Sequence, residues 1–343
     1  MKHLLNTLYV TTQGAYLHCD GETVAVDVEH ETKLRVPLHT LDGVVCFGRV
    51  TCTPPLMQHC AEHGVSISFL SERGRFWARV QGPVSGNVLL RREQYRRADD
   101  ASASAALARA IVAGKIMNAR TVLQRALRDH PGNPETARLE RAVLDIGGSL
   151  TQLGCVESVD QIRGCEGNAS RVYFDAFDAL IVAQKEDFAF QDRSRRPPLD
   201  NMNALLSFLY TLLVHDAASA LEGVGLDPAV GFLHRDRPGR ASLALDLMEE
   251  LRPVIADRLA LSLVNRQQVK GSGFTASETG AVMMDDETRK TVLVAYQERK
   301  QEELRHPFLD ESLAVGLLPH AQALLLARCL RGDLDGYPPF LWK

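Results

Sequence analysis

The sequence predicts an α+β protein: a small N-terminal β domain over 1–85, followed by a larger all-α C-terminal domain over 101–343. Three observations predict it. The first 85 residues carry β-branched runs separated by turn residues. A polar, basic stretch follows the Gly82-Pro83 break. From residue 101 onward, apolar residues recur at helical spacing with few interruptions.

In the first domain, LYVTT (8–12), TVAVDV (23–28) and VSISFL (65–70) predict strands. Cys19-Asp20-Gly21, Asp42-Gly43 and Arg73-Gly74 predict the turns between them. PPLMQHCAEHG (54–64) predicts a short helix, because proline suits a helix start and Gly64 a helix end. SGNVLLRREQYRRADD reads as the connection, giving a linker over 86–100. Ala, Leu and Arg at helical spacing predict a helix over 101–127. Breaks follow at HPGNP (130–134), RRPP (195–198), GLDP (225–228) and RDRPGR (235–240). After RRPP, Asp200 is a natural N-cap and Leu199 a candidate hydrophobic staple. The helix they open is apolar almost all round, so it belongs at the centre of its domain.

The bulk numbers exclude some functions. The net charge of −4 gives no global attraction to nucleic acid, so any such binding must use local basic patches. The start, MKHLLNTLYVTTQG, does not read as a secretory signal, and the apolar run at 204–214 is too short to span a bilayer. Seven cysteines with no CxxC pair read as reduced thiols, which predicts a cytoplasmic protein without a zinc or disulfide framework.

The chemistry concentrates in GFLHRDRPGRASLALDLMEE (231–250). Leu243, Ala244, Leu247, Met248 and Leu251 fall on one arc of a helix. Asp246, Glu249 and Glu250 fall on another, with His234 just upstream. A wet acidic face and a structural histidine are one reading of this pattern. Glu166, set between Cys165 and Gly167 at what reads as a helix start, supplies a second carboxylate. Two carboxylates and one imidazole make a donor set suited to Mg²⁺ or Mn²⁺. Such an ion can polarise a phosphoryl oxygen.

At these residues a resemblance appears. EGNASRVYF, FQDRSRRPPLDNMNALLSFLYTLL, GLDPAVGFLHRDRPGRASLALDLMEELRP and the tail RGDLDGYPPFLWK resemble the CRISPR-associated protein 1 family. The tail, with LLNTLYVTT and SGNVLLRREQYR, looks most like its subtype I-C branch. The resemblance runs over essentially the whole chain. It implies a metal-dependent DNA endonuclease and integrase that inserts short DNA fragments at a CRISPR repeat. It implies Glu166, His234 and Glu249 as metal ligands and Asp246 as a residue assisting them. It further implies a homodimer, two of which flank a dimer of CRISPR-associated protein 2 on double-stranded DNA.

For the DNA backbone, the candidates are Arg193, Arg195 and Arg196 before the central helix, Arg235, Arg237 and Arg240 after His234, Lys270, and Tyr173, whose favoured reading is packing. HPFL (306–309) and YPPFLWK (337–343) are candidate docking segments, the other reading being a tail laid on its own domain. RREQYRR (91–97) is read as covering the linker and a dimer seam. A non-catalytic scaffold for DNA ends and a branched-DNA repair nuclease are the competing functions. Glu250 is left to solvent or to an arginine.

Overall fold

The computed structural model describes residues 6–72, 76–80, 82 and 88–342. The chain forms two compact units. The first holds the described residues up to 82 together with Leu293–Gln301; the second holds those from 88 to Val292 and from Glu302 onward.

The first unit is built on eight strands. β1 (Asn6–Val10), β5 (Leu41–Phe47), β7 (Ser66–Leu70) and β8 (Phe76–Val80) form one sheet in that order. Its first two pairings are parallel and the last is antiparallel. β4 (Glu31–Pro37), β3 (Thr23–Val28), β2 (Tyr16–Asp20) and β6 (Thr51–Cys52) form the other. Leu17 and Val24 from the second sheet share one core with Val44 and Ile67 from the first, and with Leu56 and Cys60 of helix α1 (Pro54–Glu62). Burial pushes the thiols of Cys46 and Cys60 up to about 12, so they are inert apolar fillers. The expected turn at Asp42-Gly43 is instead inside β5, because the apolar run Val44–Phe47 carries the strand back through it. Arg73-Gly74 lies outside the described residues.

The second unit is mostly helical. The span expected to be a linker carries helix α2 (Val88–Asp99). Asp100 then caps α3 (Ala101–Asp129), accepting from the backbone N–H of Ser102 at 2.8 Å and Ala103 at 3.0 Å. α4 (Thr136–Cys155) and α5 (Val159–Asp175) pack back on α3. After the short α6 (Lys185–Phe188) comes α7 (Asn201–Gly223), capped by Asp200, which accepts from Asn203 N–H at 2.7 Å. α7 is long and apolar enough to cross a membrane by length and composition, but most of it is buried within the unit. Leu199 is 59% exposed and does not act as a staple.

Next come α8 (Ser242–Glu249), a π-helical turn (Arg252–Asp257) and α9 (Arg258–Asn265). Pro253 has no N–H to give to the carbonyl of Glu249, and Arg258 N–H reaches back five residues to Pro253. α11 (Leu318–Arg331) completes the helices of this unit, while α10 (Asp286–Gln301) begins in it and passes to the first unit at Leu293. The unit is not all helical. Two small hairpins pair β9 (Phe274–Ala276) with β10 (Val282–Met284), and β11 (Glu303–Arg305) with β12 (Ser312–Ala314). Three-residue strands are too short to show a period in sequence.

Candidate metal centre

The loop before α8 wraps around one carboxylate. Asp246 is fully buried, and its Oδ2 accepts from the backbone N–H of Phe232 at 2.6 Å and Leu233 at 2.9 Å. Its Oδ1 accepts from His234 N–H at 2.9 Å and lies 2.6 Å from His234 Nδ1. Both oxygens are thus committed, which makes Asp246 a positioning residue for the imidazole. A carboxylate beside Nδ1 accepts a hydrogen bond from the ring N–H there, so the ring keeps its proton on Nδ1 and its lone pair on Nε2. Gly231 is required at the start of the wrap: a Cβ there would lie 2.8 Å from Asp246 Oδ2 and 2.9 Å from the carbonyl carbon of Ser242.

His234 Nε2 lies 3.8 Å from Glu249 Oε1, at the end of α8. Glu249 is buried, and its Oε1 is 2.9 Å from Arg252 Nη1, one turn on. Its Oε2 lies 2.7 Å from Lys115 Nζ, yet it is buried without a well-directed hydrogen bond. Burial alone would raise this carboxyl, but Arg252, Lys115 and His234 outweigh it and hold it down at about 2. Glu249 is therefore ionised at any working pH.

Glu166 comes from α5, and its Oε1 accepts from Ser170 Oγ at 2.8 Å and meets the Lys115 ammonium. It sits in mid-helix rather than at a helix start. A capping box made by Ser158 and Gln161 begins α5 two turns earlier. So Glu166 and Glu249 meet on the Lys115 ammonium, and His234 stands beside Glu249 with Asp246 behind it. Lys115 of α3 was not foreseen: within a long helix it reads as an ordinary surface lysine.

Two carboxyl groups and an imidazole nitrogen, one carboxyl oxygen being buried and poorly satisfied, fit a hard or borderline divalent cation. An ion held by Glu166 and Glu249 together would have to displace the Lys115 ammonium from between them.

The DNA candidates separate by environment. Arg195, Arg196, Arg235 and Arg237 are exposed. Arg195 shares the wall of a small cavity with Lys115, Ser170 and Arg252. Arg235 Nη2 also pairs with Asp160 at 2.9 Å. Burial, then the like charges of Arg237, Arg196 and Arg163, push the Arg240 guanidinium below its ordinary value, which marks a shared positive patch. Lys270 is exposed on its loop.

Two candidates are corrected. Arg193 spends its guanidinium inside the unit, on Asn203 Oδ1 at 2.5 Å, Ser207 Oγ at 3.2 Å and the Tyr210 ring. Tyr173 is buried against Phe174 and Phe177, with ring centroids 5.2 and 5.7 Å apart, so it does not face a DNA strand.

Glu250 is also corrected. It is fully buried and anchors the C-terminal tail. It accepts from Tyr337 Oη at 2.6 Å, Gln322 Nε2 at 2.8 Å and Phe340 N–H at 3.0 Å. Burial raises this carboxyl to about 8, against those hydrogen bonds. Asn118 of α3 donates to the carbonyls of Glu250 and Phe340 and accepts from Trp342 N–H at 2.8 Å. Arg125 and Arg258 lie over the Trp342 ring, 3.7 and 4.2 Å from its centroid. The tail is laid on its own unit. His306 of HPFL is likewise internal, 2.9 Å from Gln322 Oε1.

The segment 91–97 braces the histidine loop. Gln94, fully buried, donates to the carbonyls of Asp227 and Val230 at 2.8 and 2.9 Å and accepts from Asp227 N–H at 2.9 Å. Tyr95 adds a 2.8 Å bond to the Asp227 carboxylate.

Residues 8–298 match the model of a family described as CRISPR associated protein Cas1. A CRISPR-associated endonuclease Cas1 of Chlorobaculum tepidum is 56% identical over 343 residues, covering all of both chains. One from Rhodospirillum rubrum is 55% identical over 347 residues, again covering all of both. Among solved structures, a Cas1 protein from Thermotoga maritima shares the fold with a TM-score of 0.82 at 22% identity, over 98% of this chain and 100% of that one. A casposase bound to integration product shares it with a TM-score of 0.85 at 22% identity, over 99% and 95%.

Proposed function

Because the chain belongs to the CRISPR associated protein Cas1 family, we propose that it is a metal-dependent DNA endonuclease and integrase whose centre is Glu166, His234 and Glu249. The observation that carries this reading is that Glu166 of α5 and Glu249 of α8 share the Lys115 ammonium, with His234 Nε2, from the loop before α8, 3.8 Å from Glu249 Oε1. The ion is Mg²⁺ or Mn²⁺, and when bound it supplies charge neutralisation at the reacting phosphate.

The reaction is a phosphodiester exchange. The 3′-hydroxyl oxygen of a DNA fragment forms a bond to a repeat phosphorus. The bridging oxygen on the far side leaves and takes up a proton. One phosphodiester replaces another, so no ATP is needed. With water as the attacker, the same site is an endonuclease. Asp246 holds the His234 ring in one tautomer and one orientation. Arg252 keeps Glu249 ionised in its buried position. Arg195, Arg196, Arg235, Arg237, Arg240 and Lys270 grip phosphates without reading bases, which suits fragments of many sequences.

We place the chain nearest the subtype I-C branch, in the cytoplasm, as a homodimer that assembles with Cas2. Solved complexes of a Cas6-RT-Cas1 protein with Cas2 share its fold. The test is an integration assay on a supercoiled repeat-bearing target, with and without Cas2, in Mg²⁺ and in Mn²⁺. Glu249→Gln and His234→Ala should abolish both cutting and joining. Joining that survives these changes would leave the chain a scaffold for DNA ends. Equal rates on targets with and without a repeat would make it a branched-DNA nuclease.

A further inference from the structure

The first unit holds a second cluster of metal-ligand side chains. His59 lies in the last turn of α1, and His63 caps that helix four residues later, so both stand on one helix face. Their ring centroids are 4.5 Å apart. Glu22, in the turn between β2 and β3, reaches the same spot: its Oε2 is 3.2 Å from His59 Nε2. One ligand atom from each of the three lies within 4.8 Å of the other two. Ligands on a tetrahedral ion at about 2.0–2.2 Å sit roughly 3.4 Å apart, so small side-chain rotations close the gap.

A second observation points to an ion. The carbonyl of His59 accepts both the backbone N–H of His63, at 3.2 Å, and its ring Nδ1, at 2.8 Å. A carbonyl only accepts, so the ring proton of His63 is on Nδ1 and the lone pair is on Nε2. This is the arrangement by which ligating histidines are held in their tautomer. The frame is also fixed. Thr53 caps α1, accepting from Leu56 N–H, and the carbonyl of Glu22 accepts from Leu38 N–H at 2.8 Å.

We propose that Glu22, His59 and His63 form a separate site for a borderline divalent ion of the zinc, nickel or copper class. Two imidazoles and one carboxylate favour such ions over Mg²⁺, whereas the carboxylate-rich centre of the second unit favours the harder ion. On binding, the ion takes the place of the hydrogen bond between His59 Nε2 and Glu22, and the ligating His59 ring carries its one proton on Nδ1. The bound ion clips the β2–β3 turn to α1, across 37 residues of chain.

The test is a Zn²⁺ titration by calorimetry on full-length His234→Ala protein, in which the centre of the second unit is disabled. One Zn²⁺ should bind per chain. His63→Ala or Glu22→Gln added to that background should weaken binding by at least about tenfold. Both side chains are exposed, so these variants should melt like their parent without metal. Cu²⁺ in the parent should show coupling to two nitrogens by electron paramagnetic resonance, and to one after His63→Ala. Absence of Zn²⁺ binding, or binding that neither substitution changes, overturns the site. So does a Cu²⁺ signal indifferent to His63.

Discussion

At the scale of single residues, neighbouring side chains do opposite work. Asp246 takes four donors on two oxygens, so Asp246→Asn keeps the shape but sets an amide N–H against at least one of them. The expected outcome is a Mn²⁺ affinity about 10–100-fold weaker, measured by titration, with cutting reduced in parallel. Lys115 bridges Glu166 and Glu249. Lys115→Met should lower the melting temperature of metal-free protein and enlarge the rise that Mn²⁺ produces. Equal rises in both proteins would show that the ammonium and the ion do not compete. Glu250 gives a pH effect of definite sign. Its folded value of about 8 lies above the ordinary 4.5, so its contribution to stability is full below about 4.5 and is lost as pH rises through 8. Urea unfolding between pH 5 and 8 should show this slope in the native protein and a flatter one in Glu250→Gln.

At the scale of elements, the loop from Gly225 to Ala241 matters more than its irregularity suggests. Gly231→Ala drives a methyl into Asp246 Oδ2 and should cost about 1–3 kcal/mol, with loss of cutting. Thermal melts alongside a nuclease assay would check it. The long elements were legible because their periods are strong: α3, α7 and the β-branched strands β3 and β7 all stand where the residue pattern put them. β4 was missed because almost all of ETKLRVP is exposed and carries no apolar alternation. The acids of α8 were legible as a pattern but not in their fates. Periodicity put Asp246, Glu249 and Glu250 on one wet arc. The structure buries all three, because a loop, a lysine helix and the C-terminal tail cover them from three sides. Contacts such as Lys115 with Glu166, 51 residues apart, leave no local trace in sequence.

At the scale of the whole molecule, a chain of net charge −4 must concentrate its positive charge to hold DNA. In the proposed reading the arginines around His234 do so. Arg235→Ala and Arg237→Ala should each reduce the salt dependence of DNA binding by about one ion. Arg193→Ala should leave that slope unchanged and lower the melting temperature instead, since its guanidinium is spent on Asn203 and Ser207. Fluorescence anisotropy across a salt series separates the two outcomes. The anchored tail has a consequence for synthesis. Phe340 N–H reaches back 90 residues to Glu250, and Trp342 N–H reaches back 224 residues to Asn118. A nascent chain still short of Tyr337 leaves the buried Glu250 carboxyl without two of the three donors that satisfy it. We therefore expect a product terminated before Tyr337 to cut DNA poorly, which a nuclease assay on that truncation would check.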